Sequence, residues 1–331
     1  MADTPRRSRS GERGTLALTL ALLCWSFGPP LSKRVGTAPL VTVFYRFWVA
    51  AILHWLIGFA TGRAPDRAVL RRTALPGVLF AGNLVAFFYA LHHASVANVA
   101  LITSLQPVAV LFVAGPLFGE RVSRWDVCWT LVALAGAIVA VVGSNSGRGR
   151  SHTTLLGLVL SVVALVTFTA YFLLSKRASQ TAGSHAALHP ITYMAGVLTT
   201  ASIVLTPVSL VASGPGSLTR IGHADLLWLV GIILVPSTGH LFMSSAHRSV
   251  PVSVSSLALL IQPVTVGLAA WLINHESLAP LQILGAVIVL VALGAVVSRR
   301  NTSSVSPSAT VSRRRPPPAA ATGDLPLRGP G

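Results

Sequence analysis

The chain has 331 residues, of which 53% are apolar and only 10% are charged, and its mean hydropathy is +0.71. This composition excludes an ordinary soluble protein and is typical of an integral membrane protein. The formal net charge of +17 does not predict a nucleic-acid partner, because all but one of the 25 Lys and Arg residues lie between apolar runs or in the terminal segments.

Ten apolar runs follow one another along the chain, each long enough to cross a hydrocarbon core of about 30 Å as a helix. Lipid offers the backbone no hydrogen-bond partners, so such spans must be helical. The sequence therefore predicts an all-α integral membrane protein with ten transmembrane helices. Their predicted bounds are 15–32, 38–60, 74–92, 98–117, 125–143, 154–175, 188–212, 224–245, 252–272 and 279–298.

The basic residues predict the orientation in the cell membrane, inner or plasma, because cytoplasmic loops are enriched in Lys and Arg. With the N-terminus in the cytoplasm, 19 of the 25 basic residues lie on the cytoplasmic side, five lie outside, and Arg46 lies within a span. The even number of spans then places both termini in the cytoplasm. The Ser-, Pro- and Arg-rich residues 299–331 predict a disordered cytoplasmic tail.

Two segments, 83–142 and 239–298, align without a gap at an offset of 156 residues. Gln106-Pro107-Val108 falls on Gln262-Pro263-Val264, and Glu120 falls on Glu276. Each copy has five spans, so the second copy starts on the opposite side of the membrane. This predicts two inverted five-helix repeats, which is typical of transporters. The predicted units are a cytoplasmic segment 1–13, a first repeat 14–143, a linker 144–153 and a second repeat 154–298.

The motifs of both halves resemble the EamA-type members of the drug/metabolite transporter superfamily over about residues 14–298. They are Trp25-Ser26-Phe27-Gly28, Pro39 with Arg46, Pro107-Val108 with Gly119-Glu120, and then Pro263-Val264, His275-Glu276 and Gln282-Ile283-Leu284-Gly285. His275 replaces a usual glycine, Cys128-Trp129 stand where the first half usually has one, and the second half has no counterpart of Arg46. The resemblance implies export or exchange of small metabolites.

Arg46 is the sharpest candidate for a substrate-binding residue. A guanidinium within a span must face the protein interior and find acceptors there. Its planar fork suits a substrate carboxylate, and the alternative is a structural role on helix-end carbonyls or a nearby carboxylate.

Further candidates for substrate binding are polar or aromatic residues in the predicted spans. Gln106 and Gln262 stand beside prolines, whose freed carbonyls they could satisfy instead of binding substrate. Tyr171 and Tyr193 are additional aromatic candidates, although such rings are often interface anchors. The predicted substrate-binding residues are Arg46, Gln106, Gln262, Asn83, Trp25 and Tyr89.

The titratable residues divide into two groups. His54 and His240 are candidates for proton coupling, although a histidine in an apolar span is more often a packing residue. Glu120 and Glu276 each precede a predicted helix, which favours a helix cap, with gating as the alternative. No carboxylate lies in the middle of a span, and no enzyme, metal or cofactor motif appears in the sequence.

We interpret the chain as a carrier, not an enzyme, that moves a small metabolite by alternating access. Export of an amino acid or a related compound is the leading interpretation. The expected partners are a small-molecule substrate and the lipid bilayer, and a homodimer is a further alternative. No nucleic acid, metal or cofactor is expected. The alternatives are a passive channel for an ion or small solute and a non-transport sensor or scaffold.

Overall fold

The computed structural model describes residues 4–32, 34–94, 96–120, 122–144, 154–180, 186–214, 216, 218, 222–275 and 278–305. These residues form helices and short connections, and none of them lies in a strand. A short 3₁₀ turn, Leu259–Ile261, joins α11 to α12. The helices are α1 (Thr4–Ser26), α2 (Gly28–Ser32), α3 (Pro39–Ala60), α4 (Arg67–His93), α5 (Val96–Thr103), α6 (Gln106–Phe118), α7 (Arg124–Ser144), α8 (Leu155–Ala178), α9 (Pro190–Ser213), α10 (His223–Ala246), α11 (Val252–Ala258), α12 (Gln262–Asn274) and α13 (Pro280–Val305).

The helices confirm the predicted all-α membrane fold. Nine segments in the described part of the chain are long and apolar enough to cross a bilayer, and the tenth crossing is the apolar stretch Pro280–Val296 of α13. Large apolar side chains cover the outside: Phe112, Leu155 and Val211 are 79%, 78% and 87% exposed. Because water would disfavour so much exposed apolar surface, this outer face is suited to lipid.

The pairing of helices follows the inverted repeat. In the two halves α1 is equivalent to α8, α3 to α9, α4 to α10, and α7 to α13. The main pairs are α1 with α10, α4 with α8, α3 with α9 and α7 with α13, and α4 also packs on α9 more extensively than its equivalent α10 packs on α3. Exchanging the halves turns the first pair into the second and leaves the other two unchanged. The helices of each half therefore pack mainly on helices of the other half, around an approximate two-fold axis.

The fourth crossing of each half is broken at the same place. The first half passes from α5 to α6 through Ser104 and Leu105, and the second passes from α11 to α12 through the 3₁₀ turn. Pro107 and Pro263 then occupy the first turn of α6 and α12. Proline is tolerated there because its missing N–H would have no intrahelical partner.

His275 replaces the usual glycine, but the backbone at this position has the same conformation in both halves. α6 ends on Gly119 with a φ of 65°, and α12 ends on its repeat mate His275 with a φ of 56°. Both residues adopt the left-handed conformation that closes a helix, which glycine reaches without steric cost and histidine does not. His275 is the only non-glycine residue with a positive φ in the described ranges.

The α7–α13 pair crosses through glycines. A Cβ added to Gly285 would lie 2.5 Å from the Gly136 carbonyl oxygen and 2.8 Å from Ala140 Cα. A Cβ added to Gly136 would lie 2.9 Å from Ile288 Cβ. The two backbones thus approach as closely as small residues allow, which is how membrane helices gain packing energy without a hydrophobic driving force.

Candidate functional site: a central cluster between the halves

Five side chains from both halves meet in the bundle interior and form what we term the central cluster. They are Trp25 of α1, Arg46 of α3, Phe80 of α4, Tyr171 of α8 and His240 of α10. The Phe80 and Tyr171 rings stack in parallel with centroids 4.5 Å apart. The His240 ring lies 4.6 Å from the Trp25 ring and 4.7 Å from the Phe80 ring. Rings from three crossings therefore surround the imidazole of the fourth.

The polar atoms of the central cluster are incompletely paired. The Tyr171 hydroxyl lies 3.5 Å from His240 Nδ1 and 4.0 Å from Met194 Sδ. Trp25 Nε1 is buried and has no hydrogen-bond partner among the described residues. An indole N–H can only donate, so this group is available to an acceptor on a ligand.

Arg46 brings the positive charge. Its side chain is partly accessible, whereas its Nε is buried and lacks a hydrogen-bond partner in the described ranges. The guanidinium carbon lies 5.8 Å from the Phe47 ring and within electrostatic range of Tyr171 and His240. The structural alternative, bonds to helix-end carbonyls or to a carboxylate, finds no such partner for Arg46 in the described part of the chain. An unpaired buried donor on a cation favours an anionic ligand.

His54 lies two helical turns from Arg46 on the same face of α3. Its Nδ1 is 2.7 Å from the Ala50 carbonyl oxygen, and a carbonyl can only accept, so Nδ1 carries the proton. Nε2 is buried without a partner in the described residues, and in the neutral ring it is an acceptor. His54 also lies within electrostatic range of His240. The arrangement can accept a proton at His54 Nε2.

The remaining substrate-binding candidates are separate from these five residues. Gln106 is 3% exposed and its Nε2 has no partner among the described residues, whereas Gln262 donates from Nε2 to the Leu22 carbonyl oxygen of α1 at 2.9 Å. Asn83 donates to the Ala164 carbonyl oxygen at 2.9 Å and so ties α4 to α8. Tyr89 is 37% exposed and makes none of the ring contacts of the central cluster.

Glu120 caps a helix, but not the one that follows it in sequence. Its Oε1 accepts a hydrogen bond from Val252 N at 2.6 Å, and its Oε2 accepts one from Ser253 N at 3.1 Å. Those amides open α11 in the other half. α7, which follows Glu120, is capped instead by Ser123 and Asp126: Ser123 Oγ accepts from Asp126 N at 3.2 Å, and Asp126 Oδ2 accepts from Ser123 N at 3.0 Å. Glu276 lies outside the described residues.

Sequence reasoning missed Lys176 and Phe80. The predicted span ends at 175 and places Lys176 in a cytoplasmic connection, whereas α8 continues to Ala178 and Lys176 is 4% exposed. Its Nζ donates to the carbonyl oxygens of His247 and Val250 in the turn between α10 and α11. The His247 ring is fully buried, 4.6 Å from the Phe172 ring, with Nδ1 3.2 Å from Ser175 Oγ. Burial, with the charge of Lys176, lowers the pKa of His247 to about 3.

The inverted repeat defines a class, a membrane carrier built from two halves, and the central cluster is the candidate site between them. The chain belongs to the EamA-like transporter family, whose sequence model matches residues 12–142 and 155–298. It is therefore a multi-pass membrane protein that carries a small molecule, and family membership indicates transport rather than catalysis.

Two curated relatives and one solved structure are similar to this chain. The chain is 26% identical over 283 residues to the pseudopaline exporter CntI of Pseudomonas aeruginosa strain UCBPP-PA14, covering 85% of this chain and 94% of the relative. The same-named protein of strain ATCC 15692 matches with the same identity and coverage. A solved structure described only as "Crystal structure of protein" superposes with a TM-score of 0.72 at 18% identity, covering 87% of this chain and 98% of the other, which supports the fold.

Proposed function

We propose that this protein exports a small carboxylate-bearing metabolite, an amino acid or a related compound, by alternating access. The observation that carries the proposal is Arg46, a cation in the bundle interior whose Nε has no partner among the described residues. Export is supported by the curated relatives, which are named as exporters. In this proposal the substrate carboxylate binds the Arg46 fork, and the rings of the central cluster contact the rest of the substrate.

Alternating access is supported by the way the halves pack. Two inverted halves can each adopt two slightly different shapes, and exchanging those shapes moves the opening from one face to the other. The central cluster draws residues from both halves, so a ligand there would contact both in either state. Gln106 and Gln262 stand at the broken fourth crossings and remain proposed lining residues, together with Asn83 and Tyr89.

We further propose that His54 and His240 can take part in proton coupling. His54 Nε2 is a buried acceptor without a partner in the described ranges, and it lies within electrostatic range of His240. A proton on either ring would add positive charge near Arg46 and would favour an anionic substrate. Release of the substrate and the proton would then be linked, because each stabilises the other.

For the orientation we propose both termini in the cytoplasm of the cell membrane, with repeats 14–143 and 154–298 joined by linker 144–153. Reporter fusions at Arg13, at Arg67 and after Ser298 should report the cytoplasm, and a fusion at Gly147 should report the exterior. A cytoplasmic signal at Gly147 would contradict this topology.

The transport proposal is tested by counterflow after a thermal-shift screen of the purified protein against a panel of carboxylate metabolites and their amides. A carrier shows uptake of labelled substrate that is accelerated by unlabelled substrate on the other side, and a channel does not. Stabilisation by the amide as strongly as by its parent carboxylate would count against Arg46 as an anion site.

A further inference from the structure

The turn between α10 and α11, residues 247–251, is held by a buried cation. Lys176 Nζ donates to the His247 carbonyl oxygen at 2.7 Å and to the Val250 carbonyl oxygen at 2.5 Å. Ser179 Oγ donates to the same His247 oxygen at 2.8 Å. These carbonyls lie where α10 ends, at the negative end of its dipole, so an ammonium group is favourable there.

The same turn is held from its other side by an anion. Glu120 accepts hydrogen bonds from Val252 N at 2.6 Å and Ser253 N at 3.1 Å, the first two amides of α11. Lys176 and Glu120 are within electrostatic range of each other. Glu120 belongs to the first half, whereas Lys176 and the turn belong to the second. Glu120 therefore joins the halves at this end of the bundle, and Lys176 holds the turn that leads into the helix that Glu120 binds.

The contact at the opposite end of the bundle is of a weaker kind. There Arg34 of the first half donates to Asn274 Oδ1 at 2.9 Å and to the Ile273 carbonyl oxygen at 2.6 Å in the second half. That contact is exposed, so water can replace it at little cost. At the first end the Glu120 contact is half-buried and lies near the Lys176 ammonium group, which is only 4% exposed, so opening it would separate two opposite charges in a low-dielectric region.

We propose that Lys176 and Glu120 form a latch, named here for these two residues, that closes one end of the transport path and must open in each cycle. The proposal rests on the carrier function above, and that topology assigns this end to the cytoplasm. Neither residue needs to touch the substrate. Glu120 holds the start of α11 against the first half, and Lys176 fixes the preceding turn within the second half, so loss of either shifts the balance between closed and open states.

The latch is tested by the reactivity of a buried reporter thiol. Ser256 lies in α11 next to the latched amides and is fully buried, so a cysteine there reacts only when this end opens. The full-length protein with Cys24→Ala, Cys128→Ala and Ser256→Cys is labelled with an impermeant maleimide in inside-out and right-side-out vesicles. The rates are compared with and without Glu120→Gln or Lys176→Met. Asp126→Asn is the matched control, because Asp126 bonds to Ser123 at the start of α7 and lies in neither α11 nor the α10–α11 turn.

We expect each latch variant to raise the labelling rate on the order of tenfold, from inside-out vesicles only, because a charge-assisted bond is lost. The double variant should add little to the larger single effect, since both residues hold one turn. Asp126→Asn should leave the rate unchanged. If Lys176→Met fails to accumulate, Glu120→Gln decides alone.

An unchanged rate in folded Glu120→Gln protein would overturn the latch, as would an equal rise in Asp126→Asn. Labelling that rises only from right-side-out vesicles would contradict the assigned side. These outcomes are separate from failure of the carrier function, which would appear as absent counterflow in the parent protein. The parent protein could also lack counterflow while its labelling still responds to Glu120→Gln. That result would show that Glu120 holds the halves together, and it would overturn the role of the latch in transport.

Discussion

Gly285→Ala should destabilise the protein far more than its size suggests. The new Cβ would lie 2.5 Å from the Gly136 carbonyl oxygen, whereas ordinary contact begins at 3.4 Å. The two helices would therefore have to move apart by about 0.9 Å at this contact. The neighbours are backbone atoms of α7, which cannot rotate away as a flexible side chain can. Separating the two helices would also weaken the buried contacts of Ala137 with Val289 and Ala292.

The expected cost is about 1–3 kcal/mol, the usual range for an overpacked interior. Gly294→Ala is the matched control on the same helix, since a Cβ there meets nothing within 4 Å. Replacing that glycine should be neutral or slightly stabilising, by up to about 1 kcal/mol, because alanine is the better helix former.

The assay is thermal unfolding of the detergent-solubilised protein, followed by the loss of the monodisperse peak in size-exclusion chromatography. Gly285→Ala should melt several degrees below the parent, and Gly294→Ala at or above it. Equal melting temperatures for the two variants would refute the α7–α13 glycine crossing. A Gly136→Ala variant should behave like Gly285→Ala, because its Cβ would meet Ile288 and the Gly285 carbonyl oxygen at 3.0 Å.

Two further predictions concern the charged and titratable groups. Arg46→Lys keeps the charge but loses the planar fork, so we expect substrate affinity to fall roughly tenfold with little change in melting temperature; unchanged transport by Arg46→Ala would make Arg46 structural. The pKa of His247 is lowered from 6.5 to about 3 by burial and then by Lys176, so the unfolded chain binds a proton in this window and the folded one does not. The melting temperature should therefore fall as the pH is lowered from 6.5 towards 3, and His247→Gln should flatten that fall between pH 7 and pH 5.

The membrane spans could be predicted closely because lipid imposes a strong rule on the sequence. A run of apolar residues in a bilayer has to be helical and about 20 residues long. The Gln-Pro marks likewise predicted the repeat, since proline breaks both fourth crossings at the same position. The orientation of Arg46 followed from the cost of a charge in lipid, which allows only the interior.

The contacts of the site could not be predicted in the same way. Phe80 is one apolar residue in an apolar helix, and in a membrane both the lipid face and the interior face are apolar, so no periodicity marks it. Lys176 lies at the end of a span, where a basic residue usually reaches the interface. Only its position beside the α10–α11 turn, set by tertiary packing, makes it a buried residue.

One difference between the repeats explains how the central cluster forms. Asn83 in α4 and Gly239 in α10 are repeat mates, and α4–α8 is equivalent to α10–α1. In the first pair the Asn83 amide fills the crossing and bonds to Ala164. In the second, a Cβ on Gly239 would lie 2.6 Å from Trp25 Cδ1 and 2.8 Å from Trp25 Nε1. Gly239 thus leaves the space in which the Trp25 indole reaches the His240 ring.

Gly239→Ala should therefore impair binding more than stability. The rigid indole would have to move by about 0.8 Å, from 2.6 to an ordinary 3.4 Å, and would shift relative to His240. An aromatic contact of this kind contributes about 1 kcal/mol, so substrate affinity should fall roughly fivefold. Gly231→Ala on the same helix is the control, because its Cβ would meet Leu31 at an ordinary 3.6 Å. Affinity and melting temperature are measured together by thermal shift with a substrate identified in the metabolite screen. If the two variants bind substrate equally well, Trp25 is a packing residue. The substrate would then bind at Arg46 of α3 without contacting the Trp25 ring.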